Sequence, residues 1–101
     1  MSTFLLTPDA KASLISIALY TQQKWGTKQR HSYLKMIDDC LQALAISPIQ
    51  GKARPEIHHT LRSHPAGKHI VFYIIKQDHI VIVNVLHERM DPTRHLLTNE
   101  A

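Results

Sequence analysis

The chain carries one cysteine, Cys40, so no internal disulfide can staple it, and that usage suits a reducing compartment. Glycine is scarce and dispersed, with Gly26, Gly51 and Gly67 standing alone. This excludes collagenous and low-complexity material and leaves no glycine-rich loop to cradle a phosphate. Long apolar runs are also missing. The longest nearly apolar segments, residues 70–75 and 80–86, have the length of strands and fall far below the roughly 20 residues of a membrane helix. The opening Met1-Ser2-Thr3-Phe4-Leu5-Leu6 shows neither the basic leader nor the apolar stretch of a signal peptide, so a cytoplasmic location is expected. No Gly-x-Ser-x-Gly elbow and no His-Glu-x-x-His pair occurs, which removes the simplest hydrolase and zinc-peptidase readings.

What remains is a chain equipped to fold. Its 101 residues are 44% hydrophobic and 20% charged, too apolar for intrinsic disorder and long enough for one core. A single domain over residues 1–101 is expected. Lys and Arg number 12 against 8 Asp and Glu, a formal charge of +4, which favours an acidic partner, whether nucleic acid or protein. The 8 histidines add positive charge below about pH 6.5.

Residues 3–6 form a short apolar run stopped by Thr7-Pro8-Asp9, which read as a helix start. Thr7 can cap free N–H groups, Pro8 suits the first helical position, and Asp9 complements the helix dipole. Ala10, Leu14, Ile17, Ala18, Thr21 and Trp25 recur at steps of three and four, predicting the buried stripe of a first helix that ends at Gly26. Thr27 is expected to cap a second helix, with Leu34, Ile37, Leu41 and Leu44 on its stripe, Tyr33, Met36, Cys40 and Ala43 beside it, and Ser47-Pro48 at its end. Residues 49–60 read as a loop with one helical turn. Strand patterning follows over residues 61–64, 68–76 and 79–87, with turns at Pro65-Ala66-Gly67 and over residues 76–79. The two later strands are apolar on both alternating faces, which suits strands covered on both sides. The expected fold is α+β, in the order β-α-α-β-β-β: the first strand joins a three-stranded antiparallel meander in one small curved sheet, with both helices on one face.

His58, His59, His64 and His69 fall close together, but adjacent histidines diverge and none sits at helical spacing, so neither a metal nor a cofactor is expected. Cys40 lies on the apolar flank of the second helix and reads as core. Two clusters remain. One is Arg62, Lys68 and His69, on or beside the meander. The other is the closing run Leu86-His87-Glu88-Arg89-Met90-Asp91-Pro92-Thr93-Arg94-His95-Leu96, where charges of both signs surround two apolar anchors. Its plain structural role would be to pin the tail through Met90 and Leu96, with Glu88, Asp91, Arg89 and Arg94 in weak surface pairs. Its functional role would be a basic, partly apolar patch anchored on a macromolecule by Arg89 and Arg94.

Taken in order, Leu6-Thr7-Pro8-x-Ala10, Tyr20, Trp25-Gly26, Tyr33-Leu34, Leu44-Ala45 and Ser47-Pro48 resemble the helical half of the ParE branch of the RelE/ParE toxin superfamily. The strand half is similar too, through Leu61-Arg62-Ser63, Gly67-Lys68-His69-Ile70-Val71-Phe72-Tyr73 and Val85-Leu86-His87-Glu88-Arg89-Met90-Asp91. The resemblance implies a toxin of a type II toxin–antitoxin module, neutralised by an acidic ParD-like antitoxin encoded beside it. It also implies inhibition of DNA gyrase, with cleaved DNA complexes left behind. His87, Glu88, Arg89, Met90 and Arg94 are then expected to contact the target, and Leu14, Ala18, Trp25, Arg62 and Lys68 the antitoxin. Neither a membrane nor sequence-specific nucleic-acid binding by the toxin alone is expected. The RelE branch instead cuts messenger RNA on the ribosome, and here Arg62, His87 and Arg89 would be its metal-independent catalytic set. No tyrosine follows His87, however, and Lys52, Arg54 and Glu56 do not repeat the lysine-rich set of that branch. The expected function is therefore a non-enzymatic gyrase poison. The alternatives are the ribosome-dependent endoribonuclease and a non-toxic co-regulator that only binds antitoxin.

Overall fold

The computed structural model describes residues 3–96. The chain runs through β1 (Phe4–Leu6), α1 (Pro8–Trp25), α2 (Thr27–Ile46), a short 3₁₀ turn (Pro48–Gln50), β2 (Lys52–Ala53), β3 (Leu61–Ala66), β4 (His69–Ile75), β5 (Ile80–His87) and α3 (Pro92–Leu96). The end of the tail, residues 97–101, lies outside the described residues. The α+β order is the expected one, with β2 and α3 added.

Local chemistry sets the helix ends. Thr7 sits in the extended region, and its hydroxyl accepts the Ala10 N–H at 3.0 Å, with Pro8 and Asp9 in the first turn. Gly26 ends α1 at φ +95°, a conformation that favours glycine, and its N–H donates to the Gln22 carbonyl at 2.9 Å. Thr27 does not cap α2 as expected. It is already the first helical residue, because Gly26 serves as end of one helix and start of the next, with no side-chain cap.

The strands form one sheet in the order β1-β5-β4-β3-β2, with β1 parallel to β5 and the other pairs antiparallel. Both helices pack on one face, where Ala10, Ile17, Ile37, Leu41 and Leu44 meet Val71, Tyr73, Ile80, Ile82 and Val85. The opposite face is also covered. Leu61, Phe72 and Leu86 lie beneath Leu96 of α3 and Ile57 of the loop before β3, which explains why β4 and β5 are apolar on both faces.

Several boundaries differ from the sequence expectation, each for a non-local reason. Strand β3 does not stop at His64 but continues through Pro65 to Ala66, so the turn is Gly67-Lys68 and β4 begins at His69. Proline is tolerated there because β2 pairs only with Arg62 and Ser63, leaving the far half of β3 as a sheet edge. Gly67, at φ +62°, takes the first position of a two-residue hairpin that glycine favours. The expected loop over residues 49–60 contains the 3₁₀ turn and the two-residue β2. Finally, β5 carries a bulge: Tyr73 pairs with Ile82 but Phe72 with Asn84, so Val83 is extra. Its carbonyl accepts the Thr7 hydroxyl at 2.7 Å, and Asn84 Oδ1 accepts both Ser13 Oγ (2.5 Å) and the Val85 N–H (2.8 Å). The start of α1 and the bulge thus hold each other, aligning the helix along β5.

Candidate functional site: the outer side of α1 and the histidine notch

Helix α1 is apolar on two sides. Ala10 and Ile17 face the core, and Leu14 packs against it. On the other side Ile15, Leu19 and Tyr20 remain 61%, 57% and 60% exposed. A soluble helix ordinarily carries one apolar stripe, so a second one marks a surface for a partner. Trp25 was expected on the buried stripe but is 65% exposed. Thr7 and Ser13 are bonded to Val83 and Asn84, while Ser16 and Ile17 already lie beside His87, the last residue of β5. The final turns of α1 therefore project past the sheet and leave the indole without a core to enter.

Where α1 passes the end of β5 there is a notch. His69 opens β4 and His87 closes β5, directly opposite one another in the ladder, with ring centroids 5.3 Å apart and nearly perpendicular planes. Two adjoining hollows of about 270 Å³ each share Ser16, Ile17, His69 and His87, with Tyr20 in one and Val85 and Met90 in the other. Tyr33 of α2 supports the pair from behind: its hydroxyl oxygen accepts the Lys68 N–H at 3.0 Å and lies 2.6 Å from His69 Nδ1. The Arg89 N–H donates to His87 Nδ1 at 3.1 Å. Burial pushes the His69 pKa below the usual histidine value, and neighbouring His87 adds to this while Glu88 opposes it.

The segment after β5 turns sharply. The Glu88 N–H donates to the Lys68 carbonyl and the Met90 N–H to the His87 carbonyl, both at 2.9 Å. Asp91 Oδ1 then accepts the Thr93 N–H at 3.0 Å, starting α3. Leu96 is buried as the expected anchor, but Met90 is 38% exposed and borders the notch instead of pinning the tail. Arg89 and Arg94 are exposed, and neither forms an ion pair among the described residues.

The remaining expected site residues do not gather here. Leu14 is half-buried and packs against the core, and Ala18 is half-buried. Lys68 is exposed in the hairpin turn beside Tyr33. Arg62 pairs with Tyr73 whereas His69 pairs with Ala66, a separation of four ladder positions or about 13 Å. Its Nη2 donates to the carbonyls of Ile49 (3.0 Å) and Gly51 (2.6 Å), and its Nε is buried without a partner. Arg62 therefore ties the 3₁₀ turn to the sheet at the end opposite His87. Cys40 is half-buried against the core, and burial pushes its thiol pKa up, away from a reactive thiolate. Among the described residues no three His, Cys, Asp or Glu side chains converge to hold a metal. A larger hollow of about 490 Å³ lies on the other sheet face, floored by Leu61, Ile74, Val81 and Val83, with Asp9, His58 and Lys76 its titratable residues.

The sequence reading missed Ile15 and Leu19. Their signal is the run Leu14-Ile15-Ser16-Ile17-Ala18-Leu19, apolar around the whole helix where one stripe would suffice.

Comparison with known proteins places these features in a family. The family model described as the ParE toxin of type II toxin–antitoxin system, parDE, matches residues 4–92. Toxin ParE1 of Mycobacterium tuberculosis (strain ATCC 25618 / H37Rv) is 38% identical over 96 residues, covering 94% of this chain and 98% of that protein. Toxin ParE of Escherichia coli is 32% identical over 92 residues, covering 90% and 89%. Among solved structures, the chromosomal ParDE TA system from P. aeruginosa aligns with a TM-score of 0.74 at 19% identity, covering 86% of this chain and 96% of that one.

Proposed function

The chain belongs to the ParE toxin family of type II toxin–antitoxin systems, and from that membership we propose how its surfaces divide the work. An acidic, ParD-like antitoxin lies along the outer side of α1. The free toxin binds DNA gyrase through His87, Glu88, Arg89, Met90 and Arg94, and breaks no bond itself.

The observation that carries the antitoxin half is the second apolar stripe of α1, with Ile15, Leu19 and Tyr20 each more than half exposed. An amphipathic helix that buries this stripe, with acidic residues on its flanks, matches both its shape and the +4 charge of the chain. Ordering such a segment on binding costs free energy, which a large wrapped interface offsets.

The target half rests on Arg89 and Arg94, exposed guanidinium groups without an ion pair among the described residues. Arginine is the cation best suited to anchor on carboxylates or phosphates of a large partner. The non-enzymatic reading is supported by Arg62, whose guanidinium is bonded to two carbonyls far from His87. A nuclease would need both groups at one scissile phosphate.

The test is induction in cells followed by a supercoiling assay with purified gyrase. Growth arrest with a DNA-damage response and blocked supercoiling supports the reading. Arg89→Ala with Arg94→Ala should abolish toxicity while antitoxin binding persists, and full toxicity in that double variant would remove the site assignment. Transcripts cut within translated regions would favour the endoribonuclease, and absence of arrest the co-regulator.

A further inference from the structure

We propose that the notch between His69 and His87 is a receptor for a carboxylate carried by the antitoxin segment that covers α1, and that His69 takes up a proton when this carboxylate arrives. The proposal rests on the antitoxin reading above and adds the chemistry of one contact and its dependence on pH.

The hydrogen bonds in the notch favour one tautomer of each ring. The Tyr33 oxygen accepts the Lys68 N–H, and a phenol has one proton, which is available to His69 Nδ1 at 2.6 Å. His87 Nδ1 accepts the backbone N–H of Arg89, a donor that cannot reverse. In the neutral state the Arg89 N–H puts the His87 proton on Nε2, and donation by the Tyr33 hydroxyl favours the same for His69; neither Nε2 has a partner among the described residues. Two unused donors on neighbouring, nearly perpendicular rings whose centroids are 5.3 Å apart suit an acceptor-only group with two oxygens.

The surroundings choose how that group is delivered. At about 270 Å³ each, the two hollows are the size of a side chain, below the range usual for a small-molecule site. Their other walls are Ile17, Tyr20, Val85 and Met90, which a hydrated free anion would not displace water to reach. Tyr20 is exposed like Ile15 and Leu19 and lines the notch, so it lies between their side of α1 and the rings. A chain that buries the stripe thus carries its acidic side chain straight to the rings.

The groups facing His69 are Tyr33 from α2, Ser16 and Tyr20 from α1, Lys68 from the hairpin turn, and His87 and Glu88 from the end of β5 and beyond. Glu88 is the negative one. It favours the imidazolium but is outweighed by burial and by His87. A second carboxylate, desolvated at the notch, tips the balance toward the charged ring. The proton goes to Nδ1 of His69: the Nδ1–H then donates to the Tyr33 oxygen, which keeps the Lys68 N–H on its other lone pair, while the phenol proton turns outward.

Calorimetric titration of the toxin with the antitoxin encoded beside it, from about pH 8 to about pH 6 in buffers of different ionisation enthalpy, tests this. The expected result is net uptake approaching one proton near pH 7 and about 20-fold tighter binding across that window, as a pKa raised by about two units on binding would give. His69→Gln keeps a donor at the ε position and cannot titrate, so it should bind at the upper pH and lose the uptake. In the wild-type complex, nitrogen NMR should find His69 with one proton in the free toxin and two in the complex near pH 7. Binding without proton uptake, or a His69 neutral in the complex, would overturn the inference and leave the antitoxin reading intact. No binding at any pH would instead overturn the antitoxin reading.

Discussion

Leu14 and Leu19 stand about 1.4 turns apart on α1, yet substitution of each should fail in a different assay. Leu19 is 57% exposed, and full burial of a leucine side chain is worth about 1.5–3 kcal/mol. Docking of an antitoxin over it should therefore gain about 1–1.7 kcal/mol, and Leu19→Ala should weaken binding roughly 5- to 20-fold. The fold loses little, because the side chain rests mainly in water. Leu14 packs against the core, so Leu14→Ala should cost about 2 kcal/mol of stability, the low end of the range for buried leucine, and leave the affinity of the folded protein near wild type. Ile15→Ala, Leu19→Ala and Tyr20→Ala together should approach a loss of about 3–5 kcal/mol in binding, an upper bound because neighbouring sites couple. Urea denaturation and calorimetric titration of the same preparations separate the two effects. If Leu19→Ala binds like wild type, or Leu14→Ala weakens binding without loss of stability, the outer side of α1 is not the antitoxin surface.

Thr7 caps α1 and donates to the bulge carbonyl of Val83, so Thr7→Ala should lose about 2 kcal/mol, roughly 1 from the cap and 1 from the orphaned carbonyl, and Thr7→Ser should restore most of it in urea melts. Arg62→Ala frees the carbonyls of Ile49 and Gly51 and should lower stability by about 1–3 kcal/mol; an Arg62 held for a phosphate would give unchanged stability and lost polynucleotide cleavage. The depressed pKa of His69 means the unfolded chain binds that proton more readily than the folded one. Its contribution to stability is fully present above about pH 6.5 and is lost as pH falls through the folded value. The melting temperature of wild type should thus fall more steeply than that of His69→Gln on acidification below about pH 6.5, and parallel curves would contradict the assignment.

The features legible in the sequence are those decided within a few residues. Thr7-Pro8-Asp9, Gly26 and Ser47-Pro48 mark the helix ends because capping is local. The two-sided apolar character of β4 and β5 foretold cover on both faces, although not that Leu96 and Ile57 would supply it. Register is a different matter. Whether Arg62 meets His87 depends on a hairpin at Gly67-Lys68 and a bulge at Val83, and moving either by one residue reassigns faces along a strand. Which side of α1 faces outward was hidden from the sequence for a related reason. Leu14, Ala18 and Trp25 form a valid stripe, and so do Ile15 and Leu19, and no local rule ranks two stripes on one helix. The bonds of Ser13 to Asn84 and Thr7 to Val83 rank them, by setting which side of α1 meets the sheet.

On the proposed reading, the same geometry explains how an antitoxin seated on α1 could silence a surface that belongs to the tail. Met90 borders the notch with Ser16 and Ile17 of α1, and His87 both lines the notch and accepts the N–H of Arg89. A segment lying along the stripe and ending in the notch therefore reaches the turn that presents Arg89, without any change of fold. Neutralisation becomes occlusion at a shared residue, His87, and needs no second conformation of the toxin. It also becomes sensitive to the protonation of His69, the ring opposite. A partner that docked only near Trp25, where α1 has already left the sheet, would bury comparable apolar area and leave the target segment free. The place at which α1 crosses the end of β5, set by Thr7, Ser13 and the bulge at Val83, is thus what allows one bound helix to act as an inhibitor.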